Sequence, residues 1–135
     1  MPDRDILFQR LDNDQDLYFL KDHLRELYRL LDKRFITVDY AASVSYNSDI
    51  GDVFLTTLTG NITTIILSNA YKGRILVLVF KQDSTGSRGI SGWPANTKLA
   101  GASFTPTATA NSYSTLTLIY EDTNWVEVSR TLDVR

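Results

Sequence analysis

Ile75-Leu76-Val77-Leu78-Val79-Phe80 is an apolar run with no polar alternation, and how it is read decides the fold. It is far shorter than the ~20 residues that span a bilayer. Its β-branched content and turn-forming flanks favour a strand over a helix. A strand that is apolar at every position expects cover on both faces, which places it at the centre of a sheet.

Working outward, Phe35-Ile36-Thr37-Val38-Asp39-Tyr40, Val53-Phe54-Leu55-Thr56-Thr57-Leu58 and Ile62-Thr63-Thr64-Ile65-Ile66-Leu67 precede it. Thr115-Leu116-Thr117-Leu118-Ile119-Tyr120 and Asn124-Trp125-Val126-Glu127-Val128-Ser129 follow it. All are rich in β-branched and aromatic residues, and Gly51-Asp52, Gly60-Asn61 and Asn69 to Gly73 mark reversals between them. Short strands at this spacing predict a mainly β fold, an antiparallel sandwich or barrel. The last two strands read as a hairpin through Glu121-Asp122-Thr123. The stretch from Lys81 to Tyr113 is too long for a structureless loop. It reads as a short strand near Ile90 to Trp93, a Pro94-Ala95-Asn96 turn, and a second short strand near Ala102 to Phe104.

Upstream of Phe35 the period changes. Residues 12 to 34 predict a helix, with Asp12, Asn13 or Asp14 able to accept first-turn amide hydrogen bonds and Lys33-Arg34 placed to complement the dipole at the other end. Leu17, Leu20, Leu24, Leu27 and Leu31 recur at alternating intervals of three and four, a heptad seam that Tyr28 and Leu30 widen. A broad stripe suits a bundle of three or more helices. The competing reading packs the leucine face on the same chain, since two heptads are few for a coiled coil. Tyr18 and Phe19 lie off the seam as candidate docking residues. The chain thus divides into an arm and helix over residues 1–34, for oligomerisation or attachment, and a β-domain over residues 35–135.

Composition narrows the function. The 135 residues carry 14 basic and 16 acidic side chains for a net charge of −2, which gives no electrostatic footprint for nucleic acid or an anionic membrane. Cysteine is absent, removing disulfides, thiolate metal sites and thiol nucleophiles. Met1-Pro2-Asp3-Arg4-Asp5 lacks the apolar core of a secretion signal. His23 stands alone on the helix without convergent partners for metal binding or base catalysis. Gly86-Ser87-Arg88-Gly89 has the form of a nucleic-acid clamp but lacks the flanking helices, so it reads as a turn needing positive φ. Asp49 with Asp52, and Glu121 with Asp122, read as solvated turns. Of the two tryptophans, Trp125 reads as core or interface, whereas Trp93, beside Pro94, is the residue placed to stack on a receptor sugar. No catalytic residue, cofactor or metal is expected.

Phe80-Lys81-Gln82-Asp83-Ser84-Thr85-Gly86, Gly92-Trp93-Pro94-Ala95-Asn96, Pro106 to Tyr113, and Leu118-Ile119-Tyr120-Glu121-Asp122-Thr123-Asn124-Trp125-Val126-Glu127 together resemble a β-domain common in bacteriophage virion proteins, especially tail and head fibres. The resemblance covers roughly residues 50 to 130. Glu121 and Asp122 depart from that family's usual aspartate and glycine, so the last hairpin is expected to use a different turn type. The resemblance implies a non-enzymatic structural component of the virion, commonly trimeric, made in the host cytoplasm. The first expectation is a short homotrimeric tail fibre, attached through its N-terminal region to other virion proteins at the baseplate or capsid and presenting β-domains for host-surface adsorption. The alternatives are a capsid decoration protein and a carbohydrate-binding module that meets a host surface glycan.

Overall fold

The computed structural model describes residues 14–32 and 35–135, with side chains described for residues 17–27 and from 35 onward. They belong to two compact units, a helix and a β-unit. The helix, α1 (Asp14–Asp32), bears out the expected period. The cap candidates Asp12 and Asn13, the basic pair Lys33-Arg34 and the side chains of Tyr28, Leu30 and Leu31 lie outside the described residues.

The β-unit contains β1 (Phe35–Thr37), β2 (Ser43–Asn47), β3 (Val53–Leu58), β4 (Thr64–Ser68), β5 (Ile75–Gln82), β6 (Thr97–Lys98), a 3-10 turn (Ala100–Ala102), β7 (Tyr113–Tyr120) and β8 (Trp125–Val134). Six strands form one sheet in the order β1-β3-β5-β7-β8-β6, and β2 and β4 form a second. The protein is therefore mainly β with an N-terminal helix, as the period change predicts.

The strand directions correct the antiparallel expectation. Only β5-β7 and β7-β8 pair antiparallel, whereas β1-β3, β3-β5, β2-β4 and β6-β8 run parallel. The physical reason lies in the reversals at Gly51-Asp52, Gly60-Asn61 and Asn69 to Gly73. They are not hairpins, because each carries the chain from one sheet to the other. Strands β1 to β5 alternate between the large and small sheets, so consecutive strands of one sheet are separated by a strand of the other and end up parallel. Arg74 holds two of these crossings together: its guanidinium donates to the Ser48 and Gly51 carbonyls and pairs with Asp52 at 2.6 Å.

Tyr46 of β2 joins the sheets, packing on Phe54 and Phe80 with ring centroids 5.4 and 6.4 Å away. Its hydroxyl lies 2.9 Å from the Thr56 hydroxyl on β3. Phe54, Leu58, Leu76, Leu78, Phe80, Leu116, Leu118 and Trp125 face Val44, Tyr46 and Ile65 in one continuous core. Each such large apolar side chain contributes roughly 1.5–3 kcal/mol when fully buried.

Strand β5 sits inside the large sheet, as expected, but it is not covered on both sides. Leu76, Leu78, Phe80 and Gln82 are buried, whereas Val77, Val79 and Lys81 are half-buried and Ile75 is 52% exposed. Register puts Ile75 beside Ile119, Val77 beside Val53 and Thr117, and Val79 beside Leu55 and Thr115. Phe35, opposite Val53, is 57% exposed. The outer face of the large sheet is therefore apolar, without a second layer from the β-unit.

Candidate functional site

The tract from Gln82 to Phe104 is fixed by side chains at its base. Gln82 is fully buried on β5, and its amide is satisfied three times, donating to the carbonyls of Arg88 and Thr107 at 2.9 Å and accepting from the Arg88 amide at 3.1 Å. Asp83 then accepts from the amides of Thr85 and Gly86 and from the Arg88 guanidinium. The Arg88 hydrogen bond, followed by the Gly86 amide, lowers the Asp83 carboxyl below the usual aspartate range. Gly86 and Ser87 both have positive φ, 73° and 60°, so the Gly86 to Gly89 motif is a turn, as expected.

Beyond that turn the chain lies along β4. Ile62 bridges to Ile90, the Ser91 amide donates to the Ile62 carbonyl at 2.9 Å, and the Ile65 amide donates to the Gly92 carbonyl at 2.9 Å. Gly92 has φ +73°, and a Cβ there would sit 1.9 Å from the Thr63 carbonyl oxygen. Only glycine permits so close an approach at that angle. Where two short strands near Ile90 to Trp93 and Ala102 to Phe104 were expected, the chain forms β6 and the 3-10 turn. Beyond the bonds that close its own turns, the tract hydrogen-bonds to neighbouring loops and to β8.

This packing leaves a cleft of about 380 Å³ between the Gly92 to Ala95 loop and the Leu99 to Phe104 segment. Trp93 forms one wall, half-buried and edge-on to Phe104 with centroids 6.3 Å apart and planes at 87°. The opposite wall is clamped by Glu127 and Arg130 of β8. Arg130 donates to Glu127 at 2.6 Å and to the carbonyls of Ala100 and Ser103 at 3.0 and 2.9 Å, and its guanidinium lies over the Phe104 ring. The Glu127 carboxylate accepts from the Ala100 amide. None of the described residues that line the cleft is charged. The Trp93 Nε1 and the Thr97 hydroxyl are buried and have no hydrogen-bond partner among the described residues. Leaving such groups unpaired costs about 1–3 kcal/mol each. The accessible chemistry is an aromatic wall in a neutral, preformed groove, since the Trp93 Nε1 and the Thr97 hydroxyl are themselves closed to solvent. That suits a polyhydroxylated ligand better than an ionic one.

The remaining candidates fall elsewhere. Trp125 is fully buried against Tyr120, as expected of a core residue. On α1, Leu17, Leu20, Leu24 and Leu27 are 37 to 53% exposed, and Tyr18 and Phe19 are 70 and 64% exposed. The His23 ring lies 4.0 Å from that of Phe19, and its Nδ1 is 3.0 Å from the Phe19 carbonyl, a local contact on the helix surface. Asp52 pairs with Arg74, and Glu121 accepts from the amides of Thr123 and Asn124 to shape the last hairpin. Among the described residues, no three His, Cys, Asp or Glu side chains converge as a metal site would require. The clamp of Glu127 and Arg130 went unread in the sequence, because a spacing of three along a regular strand puts two side chains on opposite faces, and only the register shift between the Thr117–Ser129 and Leu118–Glu127 pairs brings both to one side.

The turn at Gln82-Asp83, the tryptophan loop and the Glu121 to Trp125 hairpin are thus one packed unit. A family model described as "Putative phage tail fibre C-terminal domain" matches residues 37–125. The chain belongs to that tail fibre family. No curated protein matches it. The match begins at the last residue of β1 and ends at the first of β8, so it takes in β2 to β7 and the tryptophan loop. As a phage tail fibre domain the chain is a structural part of the virion, associated with other virion components.

Proposed function

We propose that this tail fibre protein is a short homotrimeric fibre that attaches through its N-terminal region and presents its β-units to the host surface. The observation that carries this reading is the leucine seam. In a chain of this family, Leu17, Leu20, Leu24 and Leu27 lie exposed along one helix at heptad spacing. Apolar side chains spaced that way gain their burial from other helices. Tyr18 and Phe19, off the seam, remain free to dock on the virion component that holds the fibre. Catalysis has no part in this reading, and no cofactor enters it.

The cleft beside Trp93 is the surface offered to the host, and its neutral lining favours a glycan. Light scattering on the purified protein tests the assembly: a trimer at micromolar concentration is expected, and a monomer refutes the bundled fibre. Adsorption of phage carrying Trp93→Ala tests the recognition. At least a tenfold slower adsorption with unchanged particle yield is expected, and an unchanged rate removes Trp93 from receptor contact. Antibody labelling of virions gives the location, with label on the head supporting a decoration protein instead.

A further inference from the structure

The cleft beside Trp93 is neutral, and it is also poor in hydrogen-bond partners. Trp93, Pro94, Leu99 and Ala102 give its walls ring and hydrocarbon surface. The hydroxyls in its lining belong to Ser91, Thr97 and Ser103. Ser91 donates to the Ile62 carbonyl at 3.3 Å, and the Thr97 hydroxyl is closed to solvent. Ser103, which is exposed, is the hydroxyl left uncommitted among these described residues. The backbone adds little. The carbonyls of Gly92, Pro94, Leu99 and Ser103 already accept from the amides of Ile65, Thr97 and Ala102 and from the Arg130 guanidinium, in that order.

Such a cleft holds a sugar best by the part that carries fewest hydroxyls. Each hydroxyl that enters exchanges water for a wall without a partner, which disfavours binding about fivefold or more. A methyl group that enters instead gains about fourfold by leaving water. Both effects favour a ring whose exocyclic carbon is a methyl group over one whose exocyclic carbon bears a hydroxyl. An acetamido methyl fits less well, because it brings an amide N–H and a carbonyl that need partners of their own. We infer that the cleft selects a 6-deoxyhexose and seats the methyl group on its C5 against Pro94, Leu99 and Ala102, an inference that rests on the glycan reading proposed above. The ring hydroxyls then face Ser103 and water. A cleft of about 380 Å³ is at the small end of ligand pockets, which suits a single terminal sugar residue.

Matched sugars that differ at this one position test the seat. Methyl α-L-fucoside against methyl α-L-galactoside, and methyl α-L-rhamnoside against methyl α-L-mannoside, are titrated into the full chain. Binding is followed by the proton–nitrogen correlation signals of the Trp93 indole and the Ala102 amide. In at least one pair the deoxy sugar is expected to bind about tenfold or more tightly than its hydroxylated match, in line with the two effects together. Equal dissociation constants within both pairs overturn the methyl seat and leave the glycan reading standing. Methyl N-acetyl-β-D-glucosaminide binding as tightly as the better deoxy sugar also overturns the 6-deoxyhexose and keeps a glycan. No response to any of these sugars overturns the glycan reading of the cleft, and this inference with it. Ala102 has φ 62°, an angle that asparagine tolerates, so Ala102→Asn puts an amide into the wall and keeps the turn. It is expected to bring the better pair within about threefold. A tenfold ratio that survives this change places the methyl group elsewhere and overturns the seat.

Discussion

Replacing Tyr46 with phenylalanine removes one oxygen from between the two sheets and leaves the ring on Phe54 and Phe80. The phenol and its partner Thr56 are 1% and 0% exposed, so the Thr56 hydroxyl, 2.9 Å away, has no water to turn to. Loss of the bond with one partner left buried costs about 1–3 kcal/mol at pH 7. The same burial sets a pH dependence. Desolvation pushes the Tyr46 phenol up to about 12 from 10.0, the Thr56 hydrogen bond pulling the other way. Between those values the unfolded chain gives up the proton and the folded chain keeps it. The stability conferred is therefore complete below pH 10 and is lost as pH rises through 12, roughly 2.7 kcal/mol in all at 1.36 per unit. About half is gone by pH 11. Tyr46→Phe lacks this loss, so the deficit of the variant shrinks across that window. Urea unfolding by far-UV circular dichroism, at matched protein concentration from pH 7 to 12, measures both. A gap that stays constant to pH 12, or no deficit at pH 7, refutes the buried pair. Adding Thr56→Val to Tyr46→Phe is expected to recover most of the neutral-pH deficit, because both polar partners are then gone.

Gln82→Leu strands the Arg88 amide and carbonyl and leaves the Thr107 carbonyl only the Ser112 hydroxyl at 3.5 Å; a loss of about 2–4 kcal/mol is expected in urea unfolding, with faster proteolysis in the 83–89 turn. Asp122 is held at φ 110°, an angle that glycine adopts without strain, so Asp122→Gly is expected to raise stability by about 1 kcal/mol, read as a higher midpoint in the same assay.

The helix, the β-rich body and the central place of β5 could all be read from periodicity, because side-chain alternation reports burial directly. Strand direction could not. Phe35 and Val53 carry no mark that their strands run side by side, and the reversals at Gly51-Asp52 and Gly60-Asn61 look alike whether the chain folds back in its own sheet or crosses to the other. The turn at Gly86-Ser87-Arg88-Gly89 followed from its glycines. The clamp of Glu127 and Arg130 on the cleft did not, since it depends on contacts some thirty residues away in the chain. The apolar second face of β5 was legible as a pattern, and only its missing cover required the fold.

The alternation of early strands between two sheets also orders assembly in time. The β7–β8 hairpin closes over five residues, from Tyr120 to Trp125, whereas pairing Val53 with Val77 closes over twenty-four. By chain entropy the longer closure costs about 1.4 kcal/mol more. Each parallel pair among β1 to β5 also waits for a strand of the other sheet to be laid down between its members. The β7–β8 hairpin is thus the easiest part of the β-unit to fold first, and the strands β1 to β5 gain their partners only after the segments between them have been laid down.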